Sequence, residues 1–300
     1  MRDRFIENLK NYIKDNSNTY FLTGDLGFGV IDKLYTKYPN NVINVGVSEQ
    51  NMIGIASGLA SRGSKVIVYS IGNFPTLRCL EQIRNDVSYH RYDVNIVSVG
   101  AGYSYGVLGV SHHATEDIGI MNTIPNIDIY SPSSINEVDI VSKEVFKSKG
   151  PSYIRLDKSM SSLSGKNLNG FKFKKKNNSK ICFITTGGIT EEIENLFNEN
   201  TFLKDKISII SLFRIKPLNE IKLKELLKDF EIIFTLEEHQ ISNGLGSIIS
   251  NFIIDNNLKA KIHKFAINNK YLEVAGSQKY LRKLSGIDSS AIKKTILNII

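Results

Sequence analysis

The sequence predicts an α/β protein of two doubly wound domains with mainly parallel sheets. Three observations carry that expectation. The chain has 300 residues, enough for two ordinary domains of ~150 residues each. Apolar strand-like runs alternate with segments of helical period in both halves, the pattern of strands joined by crossover helices and buried on both faces. A Ser/Asn/Gly/Lys-rich stretch, residues 157–179, interrupts the alternation and reads as a solvated linker between domains at 1–156 and 180–300.

In the first half, strands are expected at 19–23, 42–45, 65–71 and 94–99, each ending at a glycine, and at 127–130, ending before Ser131-Pro132. Helical patterns at 48–62, 75–90, 115–122 and 134–148 fill the gaps. The second half repeats this logic with strands at 180–185, 207–211, 231–236 and 261–266, and helices at 190–199, 219–228, 244–256, 275–285 and 289–299. In such sheets, ligands bind beyond the carboxyl ends of the strands. Gly24-Asp25, Gly46 to Gln50, Gly72 to Phe74, Gly100 to Gly102 and Ser131-Pro132 all fall there, which predicts one crevice. The second domain offers Thr185 to Gly188 and Glu237-Glu238-His239 at the corresponding places.

Composition excludes several classes. Hydrophobic residues make up 41% and charged residues 23%, which argues against disorder, collagen and coiled coil. No run of 18 apolar residues exists, so no membrane span is expected. The first ten residues have no apolar core, so no signal peptide is expected. Cys79 and Cys182 cannot build a disulfide framework and read as small buried hydrophobes. A reducing cytoplasm fits. The net charge of +8 is localised: residues 1–155 hold 15 Lys+Arg against 15 Asp+Glu, and the rest hold 23 against 15. Seven lysines and one aspartate fall within 157–180. Nucleic-acid binding wants basic residues interleaved with stacking aromatics, and only Phe171 and Phe173 qualify, so no nucleic-acid partner is expected.

The candidate chemistry is uneven. Gly24 to Gly29 lacks the Lys-Ser/Thr of a phosphate-binding loop and the spacing of a dinucleotide fingerprint. His112-His113 with Glu116-Asp117 reads as a polar loop reaching into the crevice, because adjacent histidines rarely serve one metal ion; no metal site is expected. Glu49 stands at the start of a helix, just after a strand and a Gly46-Val47-Ser48 turn. Two readings stay open on pattern alone. It caps the helix and meets its dipole, or it presents a carboxyl to the crevice beside Val47 and Met52, where burial favours a carboxyl that keeps its proton.

The local strings go further. Residues 44–63 read NVGVSEQNMIGIASGLASRG, and 68–91 read VYSIGNFPTLRCLEQIRNDVSYHR. Residues 100–118 read GAGYSYGVLGVSHHATEDI, followed by PNIDIYSPSSINE at 125–137, PSYIRLD at 151–157 and LEEHQISNGLGS at 236–247. Taken in order, these resemble the pyrimidine-binding and carboxy-terminal domains of the transketolase family of thiamine-diphosphate enzymes. Gly24-Asp25-Leu26 superficially resembles that family's Gly-Asp-Gly metal motif. Leu26 breaks the motif, however, and Asn40-Asn41 come too soon for its closing pair.

The resemblance implies a half-enzyme. Its fold would be a thiamine-diphosphate pyrimidine-binding domain followed by a transketolase C-terminal-like domain. The domain that grips the cofactor's diphosphate through Mg²⁺ is expected on a partner, an N-terminal transketolase subunit, in an α2β2 heterotetramer. Glu49 would hydrogen-bond the aminopyrimidine N1′ and favour the imino form that takes the cofactor's C2 proton. Phe74 would stack on the ring, with Tyr69 as a second candidate; Val47 would prop the bent cofactor, and Asp25 would stand near it. His112 would approach sugar hydroxyls. Arg155 and Arg78 would meet an acceptor's phosphate, for which a guanidinium fork is suited. The open alternatives are structural: a helical ion pair of Arg78 with Glu81 or Asp86, and a structural ion pair for Arg155. One departure concerns substrate. Many members carry Asp-Gly before Thr-His, whereas this chain reads Leu108-Gly-Val-Ser-His112. Leu108 accepts no hydrogen bond, which points to an acceptor lacking or inverting one hydroxyl. The expected activity is ketol transfer between sugars or sugar phosphates. The alternatives are a 1-deoxyxylulose-5-phosphate synthase-like half, a 2-oxo acid dehydrogenase E1 beta-type subunit, or a non-catalytic regulatory subunit.

Overall fold

The computed structural model describes residues 1–27 and 29–300; Phe28, inside the glycine-rich stretch, lies outside the described residues. The first half supplies β1 (Thr19–Thr23), β2 (Val42–Asn44), β3 (Lys65–Ile71), β4 (Val94–Val99), β5 (Asp128–Tyr130) and β6 (Ser152–Leu156). These pair in parallel in the order β5-β6-β4-β3-β1-β2. Side chains on a strand alternate between faces, and the core divides accordingly. Phe21, Ile67 and Tyr69 face the helices Arg2–Asp15 and Ile135–Lys147. Leu22, Val66 and Val68 face Met52, Ile53 and Ala56 of the helix Glu49–Ser61. The helix Arg2–Asp15 is an addition to the expected elements; Phe5, Ile6, Leu9 and Ile13 form its buried stripe.

The second half adds β7 (Lys166–Asn167), β8 (Phe171–Lys174), β9 (Ile181–Thr185), β10 (Ile207–Leu212), β11 (Arg214–Lys216), β12 (Ile232–Gln240) and β13 (Lys261–Ile267). Its sheet runs β13-β12-β9-β10-β8-β7, with the last two strands antiparallel. Two expectations are corrected here. Residues 157–179 do not form a plain linker: β7 and β8 extend the second sheet, Phe171 is fully buried, and Lys172 reaches Glu137 at 3.8 Å and Ser134 Oγ at 3.3 Å. Alternation of Phe171 and Phe173 with lysines is a strand pattern that the local charge obscures. The halves also interlock, because β11 leaves the second half and pairs antiparallel with β5 at the edge of the first sheet.

The expected helix over 75–90 is also remodelled. Residues Leu77–Cys79 wind as a 3₁₀ turn, Leu80–Gln82 as α-helix, and Ile83–Ser88 as a π-helical turn. Mixed winding of this kind is common at functional sites because it re-aims single side chains, and here the side chain it places is Arg78. Among the described residues, no helix is long and apolar enough to cross a membrane.

Candidate active site at the carboxyl ends of the first sheet

The turns after β1, β2, β3 and β4 converge. A Cβ added at Gly24 would lie 3.3 Å from Gly46 O and 3.6 Å from Glu49 Oε1, so the first two turns touch. Gly72, with φ +41°, sits against His112 O, Ala114 Cβ and Gly100 O, where the loop after β4 folds back. Asn44 staples the first two turns together. Its Oδ1 accepts from the amides of Asp25 (2.9 Å) and Gly46 (3.0 Å), and its Nδ2 donates to Asp25 Oδ1 at 3.0 Å. Asp25 is held in the left-handed region at φ +56°, a conformation aspartate tolerates better than most residues. Sequence reasoning missed Asn44; its only signal is its place at the end of β2.

Glu49 begins its helix, and its carboxyl is only 1% exposed. The carboxyl turns away from its own helical amides and towards β3 and the 3₁₀ turn. Ser70 Oγ donates to Oε1 at 3.4 Å, and Arg78 Nη1 donates to Oε2 at 2.7 Å. The Arg78 guanidinium also lies over Phe74, with Cζ 4.8 Å from the ring centroid. Phe74 in turn meets His112 edge-to-face at 5.1 Å. Glu49, Arg78, Phe74 and His112 therefore form one contiguous wall. Arg78 has neither of its expected partners, because the 3₁₀ turn aims it at Glu49, 29 residues away, rather than along a helix at Glu81 or Asp86. Val47 stands 75% exposed at the turn beside this wall.

His112 and His113 diverge, as side chains of adjacent residues do. His112 joins the wall, and its Nδ1 lies 3.0 Å from Ser111 Oγ. His113 is buried against Tyr103, and the Asn73 side chain donates to its carbonyl. Among the described residues, no three His, Cys, Asp or Glu side chains are grouped to hold a metal ion. Cys79 lies near the wall, but burial first and the Glu49 charge second push its thiol up to about 12, so it is not a ready nucleophile.

Two expected site residues belong elsewhere. Tyr69 is 2% exposed and packs on Phe21 at 5.6 Å, in the core on the opposite face of β3 from Glu49. Strand alternation explains this: Ser70, its neighbour, is the residue that faces Glu49. Arg155 is 2% exposed and held at two of its three nitrogens. Its Nε donates to Asp117 at 2.7 Å, and its Nη2 donates to Ala114 O at 2.8 Å and Glu238 O at 3.0 Å. Tyr153 donates to the same Asp117 carboxylate at 2.6 Å. Arg155 is therefore a buried structural ion pair of the first domain that also holds the Glu238 carbonyl of the second, not an exposed fork for a phosphate.

The second domain's polar residues are structural in the same way. Glu237 accepts from the amides of Leu245 (2.6 Å) and Gly246 (2.7 Å), capping the helix Leu245–Asp255. His239 Nε2 accepts from Gly119 N at 3.1 Å, so its proton sits on Nδ1 and donates to Gln240 O at 2.8 Å.

Comparison with known proteins follows the same division. Residues 1–162 match the transketolase pyrimidine-binding domain, and residues 171–292 match the transketolase C-terminal domain. The chain is 28% identical, over its full length and 96% of the relative's, to one subunit of the apulose-4-phosphate transketolase of Actinobacillus succinogenes. It is 33% identical, over 99% of its length and 95% of the relative's, to a Methanocaldococcus jannaschii protein provisionally named as a transketolase C-terminal section. A split-gene transketolase solved as an inactive β4 tetramer superposes with a TM-score of 0.84 at 22% identity, covering 99% of this chain and 96% of that one.

Proposed function

The chain belongs to the transketolase family, and we propose that it is the subunit of a split, thiamine-diphosphate-dependent transketolase that carries the pyrimidine half of each active site. The observation that carries this reading is the buried Glu49 carboxyl set beside the half-buried Phe74 ring and His112. Those groups suit an aminopyrimidine: a carboxyl to meet a ring nitrogen, an aromatic face to stack on, and the exposed Val47 to prop a bent ligand. Thiamine diphosphate, when bound, supplies the carbon–carbon bond chemistry.

This chain's residues do the rest. Glu49 Oε2 holds a proton towards the ring nitrogen, and Ser70 orients the carboxyl through Oε1. Phe74 fixes the ring plane. Asp25, stapled by Asn44, lines the turn beneath. His112 presents Nε2 to sugar hydroxyls while Nδ1 is engaged by Ser111. A partner subunit supplies the diphosphate and Mg²⁺ site, in an α2β2 assembly in the cytoplasm. The substrates are sugars or sugar phosphates that exchange a two-carbon ketol unit. Val107, Leu108 and Val110 are exposed beside His112 and form an apolar rim. That rim suits an acceptor lacking or inverting one hydroxyl, and the relative named for apulose 4-phosphate supports a modified sugar.

The test is Glu49→Gln in the complex reconstituted with the partner subunit. Ketol transfer should fall by about 100-fold or more, the scale of a lost general acid–base group, with cofactor still bound. Unchanged turnover overturns the reading.

A further inference from the structure

In the free chain, Arg78 already occupies the place that an aminopyrimidine ring would take. Its guanidinium is planar, carries N–H donors, bonds Glu49 Oε2 at 2.7 Å and lies 4.8 Å above the Phe74 ring. An aminopyrimidine is also planar and N–H bearing, and under the proposed function it needs the same carboxyl oxygen and the same aromatic face. The two cannot hold both partners at once. Glu49 is sealed at 1% exposure, whereas the Arg78 side chain covering it is 47% exposed. The cover is therefore the movable member of the pair and the carboxyl the fixed one.

The other contacts agree. Arg78 sits on a single 3₁₀ turn at the surface, and its guanidinium makes one hydrogen bond to a protein group among those described. The buried arginine of the same domain, Arg155, makes three. Held by one bond and open to water on one side, the Arg78 end of the pair is the one a ligand can displace.

We propose that Arg78 is a placeholder latch. It pairs with Glu49 and stacks on Phe74 in the unliganded subunit, and it must swing out before a pyrimidine ring enters. The latch keeps a buried carboxylate compensated while no cofactor is bound, and its release is a step in cofactor loading. Arg78 is thus a positioning residue acting through Glu49. This inference rests on the proposed function.

The experiment measures thiamine diphosphate affinity by calorimetry, with Mg²⁺, in the complex of this chain with its partner subunit. Wild type, Arg78→Gln and Arg78→Lys are compared, and the melting temperature of each free chain is recorded. Arg78→Gln should bind roughly threefold to tenfold more tightly, the factor expected when a half-exposed ion pair no longer competes. Arg78→Lys, which keeps the charge but loses the planar stack, should fall between. In the free wild-type chain, the Arg78 side-chain Nε–Hε resonance should shift when the cofactor's pyrimidine, 4-amino-5-hydroxymethyl-2-methylpyrimidine, is added. Equal or weaker cofactor binding by Arg78→Gln, with wild type binding normally, overturns the latch and leaves the proposed function standing. Failure of the wild-type complex to bind thiamine diphosphate overturns both.

Discussion

Two arginine–carboxylate pairs in the first domain make an instructive contrast. Arg78–Glu49 and Arg155–Asp117 have the same closest distance, 2.7 Å. Arg155 is buried, and two backbone carbonyls accept from its Nη2 beside the Asp117 bond to Nε. Arg78 is buried only where it touches Glu49 and Phe74. The chemistry is shared and the surroundings differ. A guanidinium held by several bonds in a dry interface is architecture, because removing either partner strands a charge. One with a single bond and a wet side is exchangeable, which is what a ligand site requires.

The largest effect should come from breaking the committed pair. Arg155→Met leaves Asp117 and the Ala114 and Glu238 carbonyls facing one another. Denaturant unfolding should show a loss of about 3–5 kcal/mol, the scale for a buried ion pair stripped of one partner. A loss below about 1 kcal/mol would erase the distinction drawn between the two pairs. Asp117→Asn should cost less, since the amide oxygen can still accept from Arg155 or Tyr153.

A pH effect of intermediate size is expected from the buried cluster between the domains. Arg282 bonds Glu238 at 2.7 Å, and Asp157 lies 4.0 Å away. Gln278 also donates to Glu238. Desolvation outweighs Arg282, and the Glu238 carboxyl is pushed up to about 7. The folded state therefore holds a proton that the unfolded chain releases near the usual carboxyl range. Glu238's contribution to stability is fully present below that range and is lost as pH rises towards 7. Thermal melts of wild type should show this decline between about pH 5 and 7, and Glu238→Gln should flatten it. An identical slope in the variant would assign the decline to other groups.

The smallest stability effect should come from the exchangeable pair. Arg78→Gln should cost the free chain less stability than Arg155→Met, because water reaches the Arg78 side of the pair and a glutamine amide can still donate to Glu49. A loss as large as that of Arg155→Met in urea titration would make Arg78 architectural, like Arg155.

The fold is legible in the sequence because its signals are local. Strand runs ending at glycine and helical stripes depend on neighbours within one turn or one pleat, and β1, β3 and β4 begin and end at the expected residues. The features that escape a sequence reading share one cause. At 157–179 the lysine count outweighs the alternation of Phe171 and Phe173, which only a strand partner makes meaningful. Tyr69 suits the crevice by its type, yet strand parity turns it to the other face. Nothing within a turn of Arg78 or Arg155 names Glu49 or Asp117 as its partner.

By itself, then, the sequence determined the alternating α/β architecture, the family, and the position of Glu49 at the mouth of the first sheet. Period and turn chemistry act over a few residues, so those features can be read without the fold. Only the tertiary structure decided which arginine is buried, which is exposed, and which carboxylate each one meets. Those outcomes depend on contacts between strand ends and loops far apart in the chain, and burial exists only once the sheets have closed over them.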